Sequence, residues 1–124
     1  MSLVSAIPTL PVSNIEWAVD FYIDRLGFEL IHADAGFAVV GRDEVHIHLW
    51  LANDPFTAGA EPHLAGSASC RILSTDLASL YDEYMAASVI HPNGPLTARE
   101  WGDDDFSITD QDGNLIGFFA PSSS

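Results

Sequence analysis

The sequence predicts an α+β fold built from two similar halves, each a strand, a helix and three further strands. Three observations carry this. Two helix-like segments lie 62 positions apart, short strand-like runs bounded by turn residues follow each of them, and a patternless stretch rich in Pro and Gly separates the two sets. At 124 residues the chain has the length of one compact domain, spanning 1–124. Its first module covers about 5–52, a linker 53–66, and its second module about 67–120.

The first helix is signalled by Ser13-Asn14-Ile15-Glu16, which has the spacing of a capping box with Ser13 as the cap and Glu16 reaching back. Ile15, Ala18, Val19, Tyr22 and Leu26 then form one apolar stripe, and Gly27 supplies the left-handed residue that ends it. The second helix starts at Thr75-Asp76 and carries Leu77, Leu80, Tyr81 and Tyr84 on one face. An offset of 62 superposes Leu10 on Ile72, Asn14 on Asp76, Ile15 on Leu77, Tyr22 on Tyr84 and Phe28 on Ile90. Strands are expected at Ile7–Val12, Glu29–His32, Phe37–Val40 and Val45–Leu51, with turns at Asp34-Ala35-Gly36 and Gly41-Arg42-Asp43. In the second half they are expected at Ser69–Leu73, Phe106–Thr109 and Leu115–Ala120, the last two joined by Asp110-Gln111-Asp112-Gly113-Asn114. Pro8 and Pro11 confine the first strand to a sheet edge or a bulge.

Composition narrows the function. Lys+Arg number 4 against Asp+Glu 18, all four cations are arginines, and the formal net charge is -14. Nucleic acid is excluded as a partner, because phosphate neutralisation needs clustered cations, and an anionic membrane surface is disfavoured for the same reason. The charge suits a cationic or neutral small molecule, or serves solubility alone. A single cysteine, Cys70, lies in an apolar stretch and reads as a core residue of a protein in a reducing compartment. With no secretory signal pattern and no apolar run of about 20 residues, a cytoplasmic location is expected.

Two groups of residues carry candidate chemistry. In Val45-His46-Ile47-His48-Leu49-Trp50 the period of two puts His46, His48 and Trp50 on one strand face, a spacing that suits either a metal pair or histidines satisfied by neighbours. In the second group Glu100, Asp103, Asp104 and Asp105 flank Trp101. This is either a solvated acidic loop or a place where a flat cation stacks on the indole while carboxylates meet its charge. Asp34 beside Phe37 repeats the combination in the first half. No serine stands in a nucleophile elbow, no local base activates Cys70, and no glycine-rich phosphate loop is present.

Pro11-Val12-Ser13-Asn14 leading into Phe21-Tyr22 and Leu26-Gly27-Phe28, with Asp110-Gln111-Asp112-Gly113-Asn114 before the last strand, resembles the glyoxalase/bleomycin-resistance/dioxygenase superfamily, the vicinal oxygen chelate fold. The resemblance runs from about Ile7 to Ala120. Asp34-Ala35-Gly36-Phe37, Glu100-Trp101-Gly102 and Ser69-Cys70-Arg71 before Asp76-Leu77 are most similar to its bleomycin-resistance branch. It implies tandem βαβββ modules, a homodimer with grooves between subunits, commonly an exchanged N-terminal strand, and sequestration of a cationic aromatic glycopeptide antibiotic without chemistry. Phe37 and Trp101 would then be stacking faces. Asp34, Glu100 and Asp103 to Asp105 would attract positive groups, and His46, His48 and Trp50 would line the groove floor. No cofactor is implied on that branch. The enzyme branches imply a divalent metal instead, with ligand positions that fall here on Ile7, His48, Cys70 and Gly117. Of these only His48 is a usual ligand and Cys70 a possible one, so a metal-dependent lyase, transferase or dioxygenase is the alternative expectation. A binder of another aromatic metabolite is the third.

Overall fold

A computed structural model describes residues 2–122. The first helix, α1 (Ile15–Asp24), begins at Asn14, whose side-chain oxygen accepts the Trp17 N–H at 2.9 Å. This corrects the expected capping box. Ser13 turns away from the helix, and its N–H and hydroxyl donate to the Asp112 carboxylate at 3.0 and 2.6 Å. The charged carboxylate draws the Ser13 hydroxyl and N–H as donors away from the helix end, and asparagine caps as well as serine. The chain leaves the helix through Gly27 at φ 74°, and Phe28 N–H donates to the Tyr22 carbonyl at 3.0 Å. The second helix, α2 (Leu77–Ala86), has both ends displaced by 62 positions from those of α1, from 15 to 77 and from 24 to 86.

The strands are β1 (Thr9–Val12), β2 (Glu29–Ala33), β3 (Phe37–Arg42), β4 (Val45–Leu51), β5 (Ser69–Leu73), β6 (Thr97–Ala98), β7 (Asp103–Thr109) and β8 (Leu115–Pro121). They form two four-stranded sheets, ordered β1-β4-β3-β2 and β5-β8-β7-β6. In each sheet the strand before the helix lies parallel to the last strand of its half, and the remaining pairs are antiparallel. β1 is an edge strand, the place Pro11 requires, and Pro8 lies just before it.

Several expected boundaries move: β1 starts at Thr9 rather than Ile7, and β2 and β8 each end one residue later. Gly41 and Arg42 belong to β3 rather than to a turn, and the hairpin closes at Asp43, which takes φ 52°. β7 starts at Asp103, so the acidic run is a strand and not a loop. The strand expected after α2 shrinks to an Ile90–Ile108 bridge and the two-residue β6. Pro92 and Pro95 in that stretch cannot donate to a ladder.

Each helix covers one face of its own sheet, and the apolar residues beneath form one cluster drawn from both halves. Leu10, Val12, Val40, Ile47 and Leu49 supply the first sheet's share. Phe106, Ile108, Ile116 and Phe118 supply the second's, with Phe106 and Phe118 stacked at 5.3 Å and Tyr84 5.4 Å from Phe118. The opposite face of each sheet is left open. Among the described residues no helix is long and apolar enough to cross a membrane.

Polar contacts tie the halves together. Asp110, buried, takes the N–H groups of Asp112, Gly113 and Asn114 on one oxygen at 3.0 to 3.1 Å. Its other oxygen accepts the Tyr22 hydroxyl and the Asn114 amide, both at 2.9 Å. Burial raises the Asp110 pKa above the ordinary carboxylate value, opposed by the hydrogen bonds from Asn114 and Tyr22. Asn114 continues the chain of contacts, donating to the Pro11 carbonyl at 2.8 Å and accepting the Ala68 N–H at 3.1 Å. Gly66 N–H also donates to Pro11. At φ 81°, with the Asp112 carbonyl where a Cβ would stand, position 66 accepts only glycine. On the far side Arg42 spans to Glu83 at 2.6 and 2.8 Å, and the Tyr84 hydroxyl donates to the Leu26 carbonyl at 2.7 Å.

Removing a carboxylate that accepts from five donors leaves three buried ones, the Tyr22 hydroxyl, the Asn114 N–H and the Asn114 amide, short of their partner. Asp110→Ala is therefore expected to lower unfolding free energy by about 3 kcal/mol in urea titration. Asp82→Ala, on the exposed side of α2, should stay within about 0.5 kcal/mol of the parent chain.

Candidate functional site

The open face of the first sheet holds one cluster. Strand alternation sends Ile47 and Leu49 inward, where both are fully buried, and leaves His46 exposed and His48 and Trp50 half-buried on the other side. Phe37 stands directly across from Trp50, Val39 from His48 and Gly41 from His46. The Phe37 and His48 rings meet edge to face at 5.1 Å. A side chain at position 41 would run into the Ile31 Cδ1 at 2.7 Å and the His46 ring at 3.0 Å, so the glycine makes room for that imidazole.

Asp34 lies at the start of the β2–β3 turn. Its carboxylate accepts the Gly36 N–H at 3.0 Å and meets His32 Nε2 at 3.0 Å. The His32 ring first, and then the Gly36 N–H, hold its pKa below the ordinary carboxylate value. Asp34 therefore stays charged at neutral pH at the exposed rim next to Phe37. His32 was not anticipated from the sequence; its place two residues before Asp34 in a strand was the available signal.

The second cluster lies on the other sheet. β6 and β7 form a hairpin whose turn carries Glu100, Trp101 and Gly102, with the indole 68% exposed. Asp103 and Asp105 share a strand face opposite the buried Phe106, while Asp104 accepts the Ser122 hydroxyl at 2.8 Å. The acids are not alone. Arg99 Nε donates to Asp105 Oδ1 at 2.9 Å, and its guanidinium lies 5.8 Å from the Trp101 ring centroid. Arg71 stands 3.6 Å from both Asp103 and Asp105. Neither arginine was singled out in the sequence. The alternation of Arg71 with Cys70 and Ile72 would have placed it on the open face.

The expected residues thus form two clusters on two sheets, and no described hydrogen bond, ion pair or ring contact joins them. A metal centre does not assemble from the positions the enzyme branches imply. His48 faces the open side, but Ile7 lies in the exposed segment before β1 and offers no donor. Gly117 pairs with Arg71 rather than with Cys70, and the Cys70 side chain packs against the core on the helix side. Among the described residues no three His, Cys, Asp or Glu side chains come together as a ligand set.

Two βαβββ units with helix-covered backs and open, aromatic-lined fronts define the paired-module class of the vicinal oxygen chelate fold. The chain belongs to the Glyoxalase/Bleomycin resistance protein/Dioxygenase superfamily, whose family model matches residues 5–118. A bleomycin resistance protein of Geobacillus stearothermophilus is 42% identical over 127 residues, covering 94% of this chain and 96% of its own. One from Klebsiella pneumoniae is 26% identical over 117 residues, covering 90% and 87%. Among solved structures, the bleomycin-binding protein of the bleomycin-producing Streptomyces verticillus, complexed with copper(II)-bleomycin, superposes with a TM-score of 0.79 at 26% identity, over 98% of this chain and 99% of that one. A bleomycin resistance determinant encoded on transposon Tn5 shares the fold with a TM-score of 0.77 at 24% identity, over 98% and 100%.

Burial pushes the Cys70 thiol pKa up to about 11. At pH 8 the thiolate is then only about 0.1% of the total, and alkylation by iodoacetamide should be slow in the native protein and fast in guanidinium. Because unfolding returns the thiol to its ordinary value, this group's contribution makes stability fall as pH rises from about 9 towards 11. Prompt native labelling at pH 8 would contradict the core-facing placement.

Proposed function

We propose that the protein binds a bleomycin-type antibiotic, flat, aromatic and cationic, and sequesters it without chemical change. The observation that carries this reading is the 42% identity to the Geobacillus stearothermophilus protein, running over 94% of this chain. The two clusters supply chemistry that suits such a ligand. Phe37 and Trp101 offer aromatic faces, Asp34, Glu100, Asp103, Asp104 and Asp105 offer negative charge, and His46, His48 and Trp50 line the floor beside Phe37. Since the clusters lie on separate sheets, the site is proposed to form when two copies pack with the open face of one chain's first sheet against the open face of the other's second. A homodimer would then hold two equivalent grooves. The chain is proposed to act as one domain in the cytoplasm, in keeping with a lone unpaired thiol. Its net charge of -14 would speed encounter with a cation, less so at high salt.

Calorimetric titration with metal-free and copper(II)-loaded bleomycin, paired with sedimentation analysis, tests the reading. Micromolar or tighter binding at two drug molecules per dimer is the expected result, and no heat on a folded sample would overturn it. Trp101→Ala and Phe37→Ala should each weaken binding by about 1 to 3 kcal/mol, the cost of truncating an anchoring aromatic. Unchanged affinity in both variants would remove the stacking role.

A further inference from the structure

The second sheet's open face carries an arrangement that the aromatic and acidic residues discussed so far do not explain. Cys70 and Ile72 pack against the core, so Arg71, between them on β5, projects to the open side. Its partner across the ladder is Gly117 on β8, and Ser107 on β7 lies beyond. With no side chain at 117, the arginine stem crosses β8, and a methyl there would touch its Cγ at 3.6 Å. The guanidinium carbon comes to rest 4.3 Å from the centroid of the Phe119 ring. Its Nη2 stands 3.6 Å from a carboxylate oxygen of Asp103 and 3.6 Å from one of Asp105.

A planar cation over an aromatic face, between two carboxylates, is the recognition pattern that a flat cationic ligand would use. Here the chain supplies the cation itself. Its hold is loose, because both ion-pair distances exceed the roughly 2.7 to 2.9 Å of a charge-assisted hydrogen bond, and the arginine side chain is 51% exposed. With the arginine end open to solvent, such pairs are weak and are screened by salt, although the Asp103 and Asp105 side chains are only 24% and 14% exposed. Arg99 differs, since its 2.9 Å bond to the other oxygen of Asp105 fixes that carboxylate in place.

We propose that Arg71 is a displaceable internal counter-ion, its guanidinium holding the place between Phe119 and the carboxylates of Asp103 and Asp105 that a ligand's cationic group takes. It therefore sets how strongly cationic a ligand must be to gain that face. The inference rests on the ligand reading above for the identity of the drug.

The test compares the parent chain with Arg71→Met, which keeps the stem over Gly117 and removes the charge. Arg71→Gln serves as a second variant should the first fail to fold. Each is titrated calorimetrically with copper(II)-bleomycin at low and high salt, and by NMR with benzamidinium, a simple aromatic monocation. The charge-removed variant is expected to bind both roughly three- to ten-fold more tightly than the parent, with the gain shrinking at high salt. Adding Asp105→Asn should cancel the gain. Equal or weaker binding of both probes by the folded variant overturns the counter-ion role. Failure of every chain to bind the drug, with benzamidinium still favouring the variant, would overturn the drug reading while supporting the role of Arg71.

Discussion

The Asp110 carboxylate sits where three constraints meet. It closes its own turn by accepting three successive backbone N–H groups, and it takes the hydroxyl of Tyr22 from α1. Through Asn114 it reaches the carbonyl of Pro11 on β1. A buried carboxylate is tolerable only when its acceptors are fully used, and here the donors come from both halves of the chain. The turn before β8 therefore cannot reach its low-energy form until α1 and β1 are in position. The same contacts hold α1 and β1 of the first half against the last turn of the second.

The two halves repeat a plan but not a chemistry. Tyr22 and Tyr84 hold equivalent positions and both are fully buried, yet one hydroxyl meets a carboxylate and the other a backbone carbonyl. The first half keeps a full strand at β2, and its open face is made of Phe37, Val39, His48 and Trp50. The second half shortens that strand to Thr97–Ala98 beyond Pro92 and Pro95 and turns β7 over to aspartates that lean on arginines. One face is aromatic and mostly neutral, and the other is ionic. A ligand with flat rings and a charged tail has both kinds of partner available once two chains combine.

Much of this was legible from the residues. The apolar stripes and their offset of 62 located both helices, and period-two alternation assigned His46, His48 and Trp50 to one face. What was missed depended on contacts distant in sequence. Ser13 looks like a cap until Asp112, 99 positions away, claims its hydroxyl. Three consecutive aspartates argue against a strand on local preference, but pairing with Thr97 and Ala98 on one side and with Phe119, Ala120 and Pro121 on the other overrides it. Cys70 is a metal candidate only by the family resemblance, and its apolar neighbours argue for the core. The loose pairing of Arg71 with two acids lies beyond any local pattern, because β5 and β7 are brought together only by β8 between them.

The chain contains no lysine, and each of its four arginines is engaged: Arg25 with the Ala87 carbonyl, Arg42 with Glu83, Arg71 with two aspartates and Arg99 with one. These are also the only internal sites at which trypsin can cut. Each peptide bond that the protease could hydrolyse is thus guarded by a contact, and three of the four guards are ionic. Digestion becomes a map of local opening in which each fragment boundary reports the release of one named guanidinium. The exposed hairpin after Arg99 would give way early, whereas cleavage after Arg25 or Arg42 would require the seam between the halves to part.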